Sequence, residues 1–267
     1  DANKEIKSMV SELSKGAVGI LDSISKAFGG KGGYSVATGF ADDSSKDGAW
    51  GGLLIKELGE TLVNWDTSRS SKWAPREFAN GEEGVTQYLA AVAKDVLGVI
   101  KEMDLPKWAD EFLDTLGENA SLEDIARVVD TINATKAALA TMGKNLVGFA
   151  SYSDDAASAL IRASGGIESL ATNASTYYDL YYSEQEKLAN ATRDVTAALA
   201  EQNIALPTSR EEYRKLVEHY TAMGEKGAGT LAVLLGLAGA FAAITPDAEN
   251  VTSVLDKKNK LDELNIA

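Results

Sequence analysis

Apolar residues recur at three- and four-residue steps from Ile6 to Phe28: Ile6, Met9, Val10, Leu13, Ala17, Ile20, Leu21, Ile24 and Phe28. That spacing places them on one face of a helix and predicts a helix over residues 3 to 28. The stripe is close to heptad spacing, so it suits a bundle of several chains. Gly29-Gly30-Lys31-Gly32-Gly33 ends it, because a glycine cluster does not hold a helix. The period then changes. Tyr34, Val36, Thr38 and Phe40 alternate, Asp42 to Gly48 is rich in turn residues, and Trp50 to Leu58 is apolar and strand-like. Gly59-Glu60 forms a tight turn into Thr61 to Trp65. The pattern predicts an antiparallel meander of three strands. A sheet that small is not stable alone, so it is expected to pack against a helix or another subunit.

Helical patterns fill the rest of the chain. Glu82 to Met103 is one helix, weakened by Gly98. Pro106 opens another that runs to about Leu116 and closes at Gly117. Ser121-Leu-Glu-Asp124 resembles a capping box at the start of a long helix to about Phe149. Ser153 and Asp154 begin a short helix that closes at Gly165-Gly166, and Ile167 to Asn203 reads as one long helical stretch. Thr208 is the expected cap of the next helix, with Glu211 as its partner. Gly224 to Gly229 separates that helix from the most apolar run of the chain, Thr230 to Ile244. Pro246 breaks the chain, and a last helix begins near Asn250. Ala189, Ala191, Ala197, Ala198, Ala200 and the run Ala238 to Ala243 supply small residues for close helix packing. The expected fold class is therefore mainly α, a multi-helix bundle with a small antiparallel β-meander near residues 34–65. Four segments follow: an N-terminal helix at 1–32, the meander and a packed corner at 33–81, a helical region at 82–246, and a C-terminal helix at 247–267.

Composition narrows the function. The chain has 267 residues, no cysteine, one histidine and a net charge of −14. Without cysteine there is no disulfide, thiolate nucleophile or thiolate metal site. His219 alone provides no histidine pair for zinc. The acidic balance argues against sequence-specific nucleic-acid binding, which draws its affinity from Lys and Arg on phosphates. The stretch from Asp104 to Asp124 is especially acidic and carries only Lys107 against Asp110, Glu111, Asp114, Glu118, Glu123 and Asp124. The first residue is Asp1 and not Met, which reads as a processed product or an excerpt of a longer polypeptide. No signal peptide is visible. Thr230 to Ile244 falls short of the ~20 residues that span a bilayer as a helix, and it reads first as a buried core helix.

Few residues suggest chemistry. Asp43-x-Ser45-x-Asp47-Gly48 matches the first half of a calcium loop, but Leu54 stands where the bidentate glutamate is required and Lys46 lies among the ligands, so a hairpin turn is expected. Carboxylates are scattered, with no acid–base pair, and no phosphate-binding or nucleophile motif is present. No catalytic residue, metal site or cofactor is expected. The candidate interaction residues are instead apolar and aromatic: Ile6, Leu13 and Ile20 on the first stripe, and Trp73 and Phe78 in the compact corner Trp73 to Gly81. Tyr177, Tyr178, Tyr181 and Tyr182 form two adjacent stripes one turn apart. Leu235 lies in the apolar run.

Several blocks, taken in order, resemble the later region of the tail-length tape measure proteins of long-tailed bacteriophages. They are Ser71 to Gly81, Gln87 to Val92, Val129 to Asn133, Tyr177 to Glu186, and Pro207 to Glu218 ahead of an apolar Leu/Ala helix. The resemblance covers roughly residues 33 to 246 and rests on the series, since no single block suffices. It implies a structural, non-enzymatic virion protein. In such phages a few copies, commonly three, lie in the tail tube, and their length sets the length of the tube. The C-terminal part sits at the tail tip, near distal tail and baseplate hub proteins. The protein is expelled on infection and helps DNA cross the host envelope, with the host inner membrane as a further expected partner. A ruler helix must be long and nearly unbroken, since it rises ~1.5 Å per residue. A chain with a sheet and at least five Gly or Pro breaks is expected to be the compact region that anchors the ruler or reorganises on release. Two other readings compete: a membrane-active, pore-forming helical protein, and a cell-wall-degrading module.

Overall fold

The computed structural model describes residues 2–42, 49–65 and 76–245, with the side chains of residues 2–7 and 42 left aside. Among the described residues there are nine α-helices and one small antiparallel sheet, as the period change predicts. The elements are α1 (Ala2–Ala27), β1 (Tyr34–Asp42), β2 (Ala49–Glu57), β3 (Glu60–Trp65), β4 (Arg76–Phe78), α2 (Gly81–Lys101), α3 (Lys107–Leu113), α4 (Leu122–Asn145), α5 (Asp154–Ala163), α6 (Ile167–Tyr181), α7 (Glu184–Glu201), α8 (Arg210–Ala222) and α9 (Ala228–Ile244). The half calcium loop at Asp43 to Gly48, Trp73 and the last helix at 247–267 lie outside the described residues. The chain divides into two compact units, residues 1–140 with 151–171, and residues 141–150 with 172–267. This grouping cuts across the linear segments, because packing and not sequence adjacency decides what belongs together.

In the first unit, the C-terminal half of the α1 stripe is used inside the chain. Ala17, Ile20, Leu21 and Ile24 are buried, and α1 lies along β1. Thr38 Oγ1 donates to the Val10 carbonyl at 2.8 Å and the Tyr34 amide donates to Asp22 at 3.0 Å. The stripe read as a surface for other copies is thus occupied from Ala17 onward, because the sheet needs a helix to cover its apolar face. Ile20 belongs to the core of its own unit. Leu13 is half-buried, and the Ile6 side chain lies outside the description.

The sheet runs β1-β2-β3, and β4 pairs with β2 beyond the end of β3. Tyr34↔Glu57 through Asp42↔Ala49 sets the first register, Leu53↔Trp65 to Glu57↔Glu60 the second, and Ala49↔Phe78 to Gly51↔Arg76 the third. The β2–β3 turn is Leu58-Gly59, with φ of 49° and 93°, one residue earlier than expected. Two successive positive φ values match the tight hairpin turns whose twist suits the strands. β4 was not legible in the sequence. The corner at Trp73 to Gly81 contains this three-residue strand, too short to show a period, and Phe78 from it packs inward.

Side chains from the strands and from α2 meet in one aromatic cluster. The Tyr88 ring lies 5.1 Å from Phe40, 5.7 Å from Phe78 and 6.0 Å from Trp65. Its hydroxyl donates to the Gly52 carbonyl at 3.1 Å, and burial pushes its phenol up to about 12. Gly51 makes room for this ring, since a Cβ there would fall 2.4 Å from Tyr88 Cδ2. Trp65 Nε1 donates to Asp95 at 2.7 Å, and Arg76 pairs with the same carboxylate at 3.1 Å while lying 4.3 Å over the Trp65 ring. Arg76 thereby ties β4, β3 and α2 together.

The acidic stretch after α2 is less isolated than its local sequence suggests. Lys101 pairs with Asp114 at 2.8 Å, Arg162 with Glu111, and Lys107 with Asp155. Ser121 and Asp124 form the expected reciprocal cap at the start of α4. Those bonds from Ser121, and then Arg127, bring the Asp124 carboxyl down to about 2.

Candidate functional site

The residues singled out for interaction outside the sheet unit fall in the second unit, on α6 to α9. The stretch Ile167 to Asn203 is two helices and not one. Ser183 caps α7, its side chain accepting from the Glu186 amide while Glu186 accepts from the Ser183 amide at 2.8 Å. The signal was present as Ser183-Glu-Gln-Glu186, a Ser-x-x-Glu box masked by the helical pattern on both sides. Hydrogen bonds from Ser183 hold the Glu186 carboxyl below its ordinary value.

The break places all four tyrosines at the end of α6 and divides them. Tyr178 and Tyr182 pack with ring centroids 4.7 Å apart, and both hydroxyls accept bonds from the chain: Asn190 Nδ2 to Tyr178 at 3.2 Å and the Val147 amide to Tyr182 at 3.1 Å. Tyr177 and Tyr181 stack at 5.0 Å and face outward, Tyr181 being 73% exposed beside the exposed Leu180. One stripe therefore supports the turn, and only the other is a free aromatic surface.

Helices α7, α8 and α9 build the core of the unit from Val195, Leu199, Tyr213, Leu234 and Phe241. The Tyr213 ring stacks on Phe241 at 4.3 Å and its hydroxyl donates to the Leu234 carbonyl. The cap of α8 sits one residue later than expected. Ser209 accepts from the Glu212 amide at 3.1 Å, and Glu212 in turn accepts from the Thr208 amide and hydroxyl at 2.8 Å, while Glu211 pairs with Lys215. His219 is exposed on α8, edge-on to Tyr220.

The apolar helix α9 differs from the core helix expected from its composition. No residue from Ala228 to Ile244 is charged, yet the buried residues of the helix are Leu234 and Phe241. Ala232, Leu235, Gly236, Gly239 and Ala243 share one exposed face, Leu235 to 60%. Among the described residues, α7 and α8 cover only one side of a helix that is apolar on every side. At its C-terminal end, Arg210 donates to the carbonyls of Ala242 at 2.8 Å and Thr245 at 2.9 Å. That interaction, which offsets the negative end of the helix, comes from α8 and was not visible in the sequence. A Cβ added at Gly229, Gly236 or Gly239 meets nothing within 4 Å. Packing among the described residues therefore does not require these glycines, although each costs about 1 kcal/mol relative to alanine inside a helix. Among the described residues, no helix is long and apolar enough to cross a membrane. No family model, curated protein or solved structure matches this chain.

Proposed function

We propose that this chain is a structural, non-enzymatic component of a long-tailed phage's tail, from the later region of a tail-length tape measure protein. In this reading it lies in the tail lumen near the tip, associates with itself in three copies, and contacts tail tube, distal tail and baseplate hub proteins. It is released on infection to assist DNA passage. The ordered blocks of resemblance suggest the family. The observation that carries the functional reading is the uncharged, half-covered helix α9. A folded chain rarely leaves so apolar a face to water without a use for it. Glycines at 229, 236 and 239, unneeded by packing among the described residues, allow another helix to approach closely. No helix among the described residues exceeds the 26 residues of α1, about 40 Å of rise, which favours an anchoring or tip role over that of the ruler itself. Contact between copies then falls on α9, on the Tyr177/Tyr181 pair and on the part of α1 before Ala17.

A charge on the open face of α9 tests this. Leu235→Glu does not enter the core, so the chain is expected to fold with unchanged helix content. Phage carrying the change are expected to form normal tails at reduced yield, or to form tails that adsorb and fail to deliver DNA. Normal assembly together with normal infection refutes the proposal.

The same open face favours a second reading, a membrane-active helical protein. It differs in needing no tail partners. Dye release from anionic lipid vesicles by the chain alone, abolished by Leu235→Glu, is the result that reading expects. Intact vesicles at micromolar protein exclude it.

A further inference from the structure

A cavity of about 760 Å³ lies in the first unit, walled by the end of α1, by β3, by the C-terminal half of α2 and by the link to α3. Its floor is apolar: Phe28, Leu62, Val63, Val99, Met103 and Leu105. A register shift between Ile55 and Lys56 leaves Leu62 as a bulge residue, re-aimed to share the cavity with Val63. The ionisable groups on the wall are the carboxylates of Glu57, Asp95, Glu102 and Asp104 and the Tyr34 phenol. Among the described residues no Lys, Arg or His lines it.

The surrounding charges add to this bias. Helices α1 and α2 both end at the cavity, and a helix C-terminus carries partial negative charge. The lysine in each last turn is engaged elsewhere, Lys26 with Asp22 at 3.2 Å and Lys101 with Asp114 at 2.8 Å. Asp95 is held by Trp65 and Arg76. Glu57 stands beside Tyr34, whose phenol burial, and then Glu57, pushes up to about 12, so it stays neutral. Glu102 and Asp104 are exposed at the rim. Among the described residues, the cavity thus joins an apolar floor to the carboxylates of Glu57, Glu102 and Asp104, while Asp95 is already paired with Arg76 and Lys136 lies 5.0 Å over the Phe28 ring.

We propose that this cavity binds a small organic cation, a primary ammonium or guanidinium on a short hydrocarbon body. The floor takes the body, whose apolar surface is removed from water, and the rim carboxylates and helix ends take the charge. Among the described residues no three acidic groups converge in the way a metal ion requires, so the fit is to a cation that brings its own apolar surface. The bulge at Leu62 interrupts the β3 edge, and bulges of this kind deter an added strand, which disfavours an extended peptide. The volume lies within the range of small-molecule sites, roughly 300–1,000 Å³.

The test is a titration of the full chain with n-hexylammonium at neutral pH and low salt, followed by calorimetry and by NMR shifts. Sodium hexanoate supplies the same body with the opposite charge, and methylammonium supplies the charge without the body. Hexylammonium is expected to saturate with shifts centred on Phe28, Val63 and Met103, and both controls are expected to bind about tenfold more weakly or not at all. The double variant Glu102→Gln, Asp104→Asn changes only exposed rim groups. It is expected to melt as the parent does and to bind hexylammonium about tenfold more weakly. Equal binding of hexanoate, shifts elsewhere, or an unchanged affinity in a folded double variant overturns the proposal. So does binding of acetyl-Leu-Lys-Leu-amide with none of hexylammonium, which would assign the cavity to a protein partner.

Discussion

Phe241→Ala is expected to destabilise the second unit by about 3–5 kcal/mol, the usual cost of emptying a buried aromatic site. Leu235→Ala on the same helix is expected to change it by less than about 0.5 kcal/mol. The two residues are of comparable apolarity, and composition gives no reason to separate them. Phe241 is 1% exposed, stacks on Tyr213 and sits among Val195, Leu199 and Leu234. Leu235 is 60% exposed on the open face of the helix. Denaturant unfolding followed by far-UV circular dichroism measures both variants. Trp50, Trp65 and Trp108, the tryptophans among the described residues, belong to the first unit. Their fluorescence therefore reports that unit, and its transition is expected to stay in place in both variants. A loss at Leu235 as large as that at Phe241 would mean that both faces of α9 are covered in solution, and the open-face argument would fail with it.

Tyr88→Ala is expected to cost the first unit about 3–5 kcal/mol, and Tyr88→Phe about 1–3 kcal/mol. The larger loss comes from the ring, which fills the space over Gly51 between Phe40, Phe78 and Trp65. The smaller one comes from the hydroxyl, whose removal leaves the Gly52 carbonyl without that donor in a buried place. Here tryptophan fluorescence is the direct measurement, because the Trp65 ring is in contact with Tyr88. Alanine and phenylalanine variants of equal stability would show that the cluster does not carry the packing of helix on sheet. Neither variant is expected to alter the second unit's unfolding.

The elements were largely legible because their signals are local. A switch from three- and four-residue spacing to alternation marks where α1 gives way to the sheet, and Ser121 with Asp124 marks the start of α4. The errors have local causes too. The Ser183–Glu186 cap lies between two stretches of the same helical period, so nothing but the box itself announces the break. At α8 two adjacent hydroxyl residues, Thr208 and Ser209, are each followed by a suitable glutamate, and only backbone geometry selects Ser209. Three residues of β4 are too few to show alternation, and what makes them a strand is the free edge of β2 opposite Ala49 to Gly51.

The candidate surfaces were legible as residue types and not as surfaces. By itself the sequence determined a mainly helical chain, a small meander near residues 34–65, an uncharged helix near its later part and a paired set of tyrosines. Each of these depends on neighbours within a few residues. Only the tertiary structure decided that Ile20 is spent on the chain's own sheet, that Tyr178 and Tyr182 brace a turn while Tyr177 and Tyr181 face out, and that α9 is covered on one side only. It also brought Glu57, Asp95, Glu102 and Asp104 to one cavity and drew Lys26 and Lys101 away from it. The physical reason is that burial and charge balance depend on which faces meet. A periodic stripe specifies that a face is apolar, whereas what covers that face depends on residues far away in the chain.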